Sequence, residues 1–123
     1  MEPDPVFDAE AFADTVETLA AHEELRYLVW GGDWCGDCRS QLPGFGAALD
    51  AAGIGDDRVE QYAVEKAADG SKTGPRVEEY GIEYIPTVVV EAPTDDGYEE
   101  VARFVEEEPV PIAVYLADQI RGR

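Results

Sequence analysis

Residues 25–30, LRYLVW, form a mostly apolar run that ends at the turn residues Gly31, Gly32 and Asp33. Its length is that of a strand, and the lack of regular polar alternation predicts burial on both faces. Such a strand needs cover on each side, so it is expected to be central, paired in parallel and sandwiched between other elements. The chain has 123 residues, 45% of them hydrophobic. That is room for one domain, residues 1–123, with a core that needs no disulfide or metal staple.

The flanking segments supply the cover. Asp8 is the expected N-cap of a first helix, with Phe12, Val16, Leu19 and Ala20 at helical spacing. After the turn, Leu42, Phe45, Leu49 and Ala52 predict a second helix that carries Pro43 inside it and ends at Gly53 and Gly55. Pro43 should kink this helix, because its ring opposes the carbonyl of Arg39. Arg58–Glu65 has strand character, KAADGSKTGP reads as a loop, and Pro75–Gly81 as a short helix. PTVVVEA and YEEVARFV are strands joined by a hairpin with Asp96-Gly97 at its tip. Pro109 or Pro111 opens a last helix, with Ile112, Val114, Tyr115, Leu116 and Ile120 on its apolar side. The order α-β-α-β-α-β-β-α predicts a small mixed sheet, with strands joined through helices running parallel and the final two antiparallel.

Both cysteines of the chain, Cys35 and Cys38, fall where the second helix should begin. Structural zinc and iron–sulfur sites usually need four ligands, whereas His22 is the only histidine. His22 is better placed to meet free carbonyls at the end of the first helix. A metal would need carboxylates as well, or a dimer sharing two cysteine pairs. A structural Cys-x-x-Cys disulfide would close a very small loop and constrain the unfolded chain little. Redox chemistry has a direct physical basis. At a helix N-terminus Cys35 faces free N–H groups that favour a thiolate, and Cys38 is one turn away, within reach of a mixed disulfide on Cys35. Arg39 adds positive charge and Trp34 an apolar lip.

The formal net charge is −19, from 28 acidic and 9 basic residues, and only Lys66 and Lys72 are lysines. A surface this acidic repels phosphates and anionic lipid heads, so neither nucleic acid nor membrane is an expected partner. Acid-rich, lysine-poor composition resembles that of halophilic proteins from salt-accumulating cytoplasms. The first ten residues lack the basic and apolar regions of a signal peptide, which makes a cytoplasmic location the expectation.

WCGDC, Pro43 five positions after the second cysteine, and GIEYIPTVVV together resemble the thioredoxin family over nearly the whole chain. The resemblance implies a thioredoxin-like fold: a mixed four-stranded central sheet flanked by helices on both faces. It also implies a cis bond before Pro86, beside the cysteines. The chain departs from the family pattern at Gly36-Asp37, where Gly-Pro is usual, and at Val29, where a buried aspartate is usual. Ser40, Gln41 and Leu42 replace an apolar segment. The resemblance is closer to thioredoxin-like proteins with a WCxDC site.

The implied function is that of a cytoplasmic protein-disulfide reductase. Cys35 would be the nucleophile and Cys38 the resolving thiol, with Asp37 either transferring a proton or only starting the helix. Trp34, Gly36, Ile85 and Pro86 would form the substrate groove, with Ile85 offering backbone hydrogen bonds. No cofactor is required. The expected partners of a monomer are disulfide-containing proteins and an electron donor such as a thioredoxin reductase. The alternative is a non-enzymatic interaction module of the same fold, or a dimer holding metal through its cysteines.

Overall fold

The structure, a computed structural model, describes residues 3–32, 35–106 and 108–122. In chain order the elements are α1 (Ala13–Ala21), β1 (Arg26–Gly31), α2 (Gly36–Ala51), β2 (Val59–Ala63), β3 (Glu65–Lys66), β4 (Lys72–Thr73), α3 (Val77–Tyr80), β5 (Thr87–Thr94), β6 (Gly97–Val105) and α4 (Ile112–Arg121).

The apolar run becomes β1, one of the two inner strands of a four-stranded sheet ordered β2-β1-β5-β6. Its residues alternate between two apolar layers, as the period of a strand requires. Tyr27 and Val29 face a core closed by Leu19 of α1, Phe45 and Leu49 of α2, and Ile112, Leu116 and Ile120 of α4. Leu28 and Trp30 face a second cluster with Val64, Val77, Ile82 and Val89. Burying each large aliphatic side chain in these layers contributes roughly 1.5–3 kcal/mol.

The parallel expectation holds for one neighbour only. β1 pairs in parallel with β2, from Tyr27↔Val59 to Gly31↔Ala63. It pairs antiparallel with β5, from Trp30↔Thr87 to Arg26↔Glu91. The connection through α3 therefore does not return the chain to the far end of the sheet. It stays at the end where β1 and β2 finish, tied there by the Val64 N–H donating to the Gly31 carbonyl (2.9 Å), so β5 starts where β1 stops.

Several boundaries differ from expectation. Asp8 does not cap α1, whose N-cap is Phe12. Its carboxylate accepts from the N–H groups of Glu10 (3.0 Å) and Ala11 (3.3 Å), closing a separate turn one step earlier. Ala20 is exposed, and Thr15 takes the buried place beside Leu19. The β5–β6 turn falls at Asp95-Asp96, because Thr94 pairs with Gly97. Pro111, not Pro109, is the N-cap of α4.

The expected loop at 66–75 contains a hairpin. β3 and β4 pair antiparallel, Glu65 opposite Thr73 and Lys66 opposite Lys72. Asp69 and Gly70 make its turn: Gly70 has φ +87°, and the Asp69 carboxylate accepts from the Ser71 N–H (3.0 Å) and hydroxyl (2.6 Å).

Candidate active site

The end of β1 and the start of α2 bring the cysteines to the edge of the sheet. A Cβ on Gly31 would lie 2.9 Å from Leu42 Cδ1 and 3.5 Å from Cys38 Sγ. The missing side chain lets the first turns of α2 lie against the strand end. Cys35 is the N-cap of α2, with extended backbone (φ −93°, ψ 117°). Its Sγ takes the place of a capping oxygen and accepts the Cys38 N–H at 3.2 Å, satisfying a donor that the first turn leaves free.

Both cysteines are free and buried, Cys35 at 7% exposure and Cys38 at 3%. Burial pushes the Cys38 thiol up to about 12, with neighbouring Cys35 and the charge of Asp37 acting in the same direction. The Cys35 thiol donates to the Ile85 carbonyl at 3.6 Å. The Ile85–Pro86 peptide bond is cis.

A groove of about 320 Å³ opens at this point. Cys35, Gly36 and Asp37 line one side, with Ile85, Tyr84 and Glu106 across from them and Lys72 from the hairpin. The groove thus brings together Cys35, Gly36, Asp37 and Ile85 from the sequence-derived set. Pro86 and Cys38 are buried and do not line the groove. Arg39 is exposed on α2 and does not line the groove; the cation there is Lys72. Trp34 lies outside the described residues, as does Asp33. Val29 sits in the apolar core at 2% exposure.

Lys72, Tyr84 and Glu106 are groove residues that sequence reading missed. The Asp69-Gly70 pair was the available signal for the first, since such a dipeptide marks a hairpin turn. Tyr84 is half exposed, at 50%. Glu106 had no local signal. It adopts a left-handed φ of +57°, with its N–H donating to the Pro86 carbonyl (2.7 Å) and its carbonyl accepting from Gln41 Nε2 (2.7 Å). Gln41, polar where an apolar residue was the comparison, anchors that turn to α2.

No group of three or more histidine, cysteine or acidic side chains is placed to hold a metal ion among the described residues. His22 caps the end of α1, its Nδ1 2.8 Å from the Thr18 carbonyl.

The fold built around this site is shared with solved structures. The fold is thioredoxin-like. A thioredoxin from Trichomonas vaginalis superposes with a TM-score of 0.51 at 18% identity, covering 93% of this chain and 90% of its own. A thioredoxin from Thermus thermophilus gives 0.51 at 21% identity, covering 98% and 84%. A protein of unknown function from Pseudomonas aeruginosa gives 0.53 at 22% identity, covering 93% and 74%. No family model matches the chain. No curated protein sequence matches it either.

Proposed function

We propose that the protein is a thiol–disulfide oxidoreductase that reduces protein disulfides in the cytoplasm. The observation that carries this reading is the pairing of two thiols in unlike settings. Cys35 opens into the groove and receives a backbone N–H, while Cys38 is buried and held protonated.

That inequality supports one order of events. The Cys35 thiolate attacks one sulfur of the substrate disulfide, the S–S bond breaks, and the first substrate sulfur leaves as a thiolate. Cys38 then loses its proton and attacks Cys35 Sγ. The mixed disulfide breaks, the second substrate thiolate leaves, and two electrons have passed from the dithiol to the substrate. Cys38 needs a proton acceptor for this step. Asp37, its chain neighbour, lines the groove and is the carboxylate assigned this role here, acting directly or through one water. A dithiol donor, such as a thioredoxin reductase supplies, reverses the oxidation of the pair. The Ile85 backbone offers hydrogen bonds to an extended substrate segment.

Reduction of insulin by dithiothreitol, run at molar salt, tests the reading. The reduced protein should accelerate precipitation of the insulin chains over dithiothreitol alone, and Cys35→Ser should abolish the acceleration. No acceleration by the wild-type protein would move the reading to a non-enzymatic interaction module.

A further inference from the structure

The chain has only two lysines, and the hairpin sets them opposite each other: Lys66 of β3 and Lys72 of β4 are directly paired. Residues directly opposed in an antiparallel pair project from the same face, with their Cβ atoms about 5 Å apart. Two like charges so placed cost the hairpin stability. No ion pair offsets that cost, because none reaches either lysine among the described residues. Arg26, Arg76, Arg103 and Arg121, by contrast, each hold a carboxylate.

The pair is also fixed in position. A Cβ on Gly74, just after β4, would lie 2.7 Å from the Ala63 carbonyl oxygen, so this end of the hairpin is packed against β2. The Trp30 indole N–H donates to the Pro75 carbonyl (2.9 Å), tying the segment that follows β4 to β1. Lys72 thereby lines the groove of Cys35, while Lys66 beside it is exposed. On a protein of net charge −19, Lys72 stands in the proposed exchange groove with Lys66 directly opposite it across the hairpin, and no ion pair reaches either among the described residues.

We propose that Lys66 and Lys72 form an anion subsite that selects protein disulfides flanked by acidic residues. This rests on the exchange function proposed above. Asp37 and Glu106 line the same groove and repel a carboxylate at the reacting sulfurs. The favoured carboxylates are therefore on residues flanking the substrate cysteine, where the extended segment passes the hairpin. The pair raises encounter with such segments and fixes their register.

The test uses the reduced full chain and short disulfide-containing peptides, identical except for Glu, Gln or Lys at the residues flanking the disulfide. The readout is the ratio of second-order oxidation rates, Glu peptide to Gln peptide, which cancels any change in Cys35 itself. The wild-type ratio should be about five, the size that two exposed ion pairs supply at moderate salt. It should fall to about one in Lys66→Gln/Lys72→Gln, fall below one in Lys66→Glu/Lys72→Glu, and survive in Lys66→Arg/Lys72→Arg. Arg121→Gln, which removes a charge from the end of α4, should keep the wild-type ratio. A wild-type ratio of one or less, or a ratio that Arg121→Gln lowers as much as the lysine variants do, overturns the subsite. Glutathione disulfide carries carboxylates without an extended strand. A lysine-dependent rate greater for it than for the Glu peptide overturns the assignment to protein substrates. Failure of all these disulfides to oxidise the protein removes the exchange function itself, and the subsite with it.

Discussion

The Cys38 N–H donates to Cys35 Sγ across 3.2 Å, so the backbone of the proposed resolving residue holds the sulfur that it would attack. The two thiols share this turn yet differ in surroundings, since Cys35 lines the groove and Cys38 is 3% exposed. Iodoacetamide should therefore alkylate Cys35 first in the reduced protein. Cys38→Ser should trap mixed disulfides that survive non-reducing electrophoresis. Trapping in Cys35→Ser instead would reverse the roles.

Alkaline pH should destabilise the fold through two buried groups. Burial raises Cys38 from 9.0 to about 12 and Tyr27 from 10.0 to about 12. In both, the neutral form is favoured in the folded state. Between the ordinary and raised values the unfolded chain holds fewer protons, so stability falls as pH rises from about 9 towards 12. The Tyr27 hydroxyl is buried without a hydrogen-bond partner among the described residues. Tyr27→Phe should be neutral or stabilising by about 1 kcal/mol in urea unfolding at pH 7, and should flatten the decline above pH 10.

Glu91 is a buried carboxylate on β5, bonded by Arg26 Nε (2.8 Å) and by the Tyr80 hydroxyl (2.7 Å). The Arg26 guanidinium also stacks on Tyr98, 3.5 Å from the ring centroid. Arg26→Met removes the charge partner of this buried carboxylate, leaving it the Tyr80 hydroxyl, and should cost about 2–3 kcal/mol in denaturant unfolding. Adding Glu91→Gln should recover part of that loss, and a purely additive double variant would show that the two side chains act independently.

Gly74→Ala should cost about 1–3 kcal/mol, because the new methyl meets the backbone oxygen of Ala63 at 2.7 Å and neither side yields easily. Gly36→Ala meets nothing within 4 Å and lacks that penalty. Equal melting temperatures for the two variants would contradict the close packing at Gly74.

Self-repulsion from a net charge of −19 should make stability depend on salt. The Debye length shrinks from about 30 Å at 10 mM to about 3 Å at 1 M. The melting temperature should rise from low to molar KCl, and a flat curve would remove the charge argument for a salt-rich host.

What the sequence by itself determined was local. A six-residue apolar run, the cysteine spacing, and prolines and glycines at element ends carry their meaning within a few neighbours. That was enough for β1, α2, the β5–β6 hairpin and the position of Cys35 at a helix start. The tertiary structure decided what depends on which ends meet. β5 runs antiparallel to β1 because the α3 connection stays at one end of the sheet, and no periodicity encodes that choice. Arg39 reads as the cation of the site because it adjoins Cys38, but it is exposed and does not line the groove. Lys72, 34 positions after Cys38 in the chain, lines the groove because Gly74 and Pro75 dock the hairpin against β1 and β2. Proximity along the chain is fixed by covalent geometry. Proximity across the groove is fixed by packing, which only the folded chain creates.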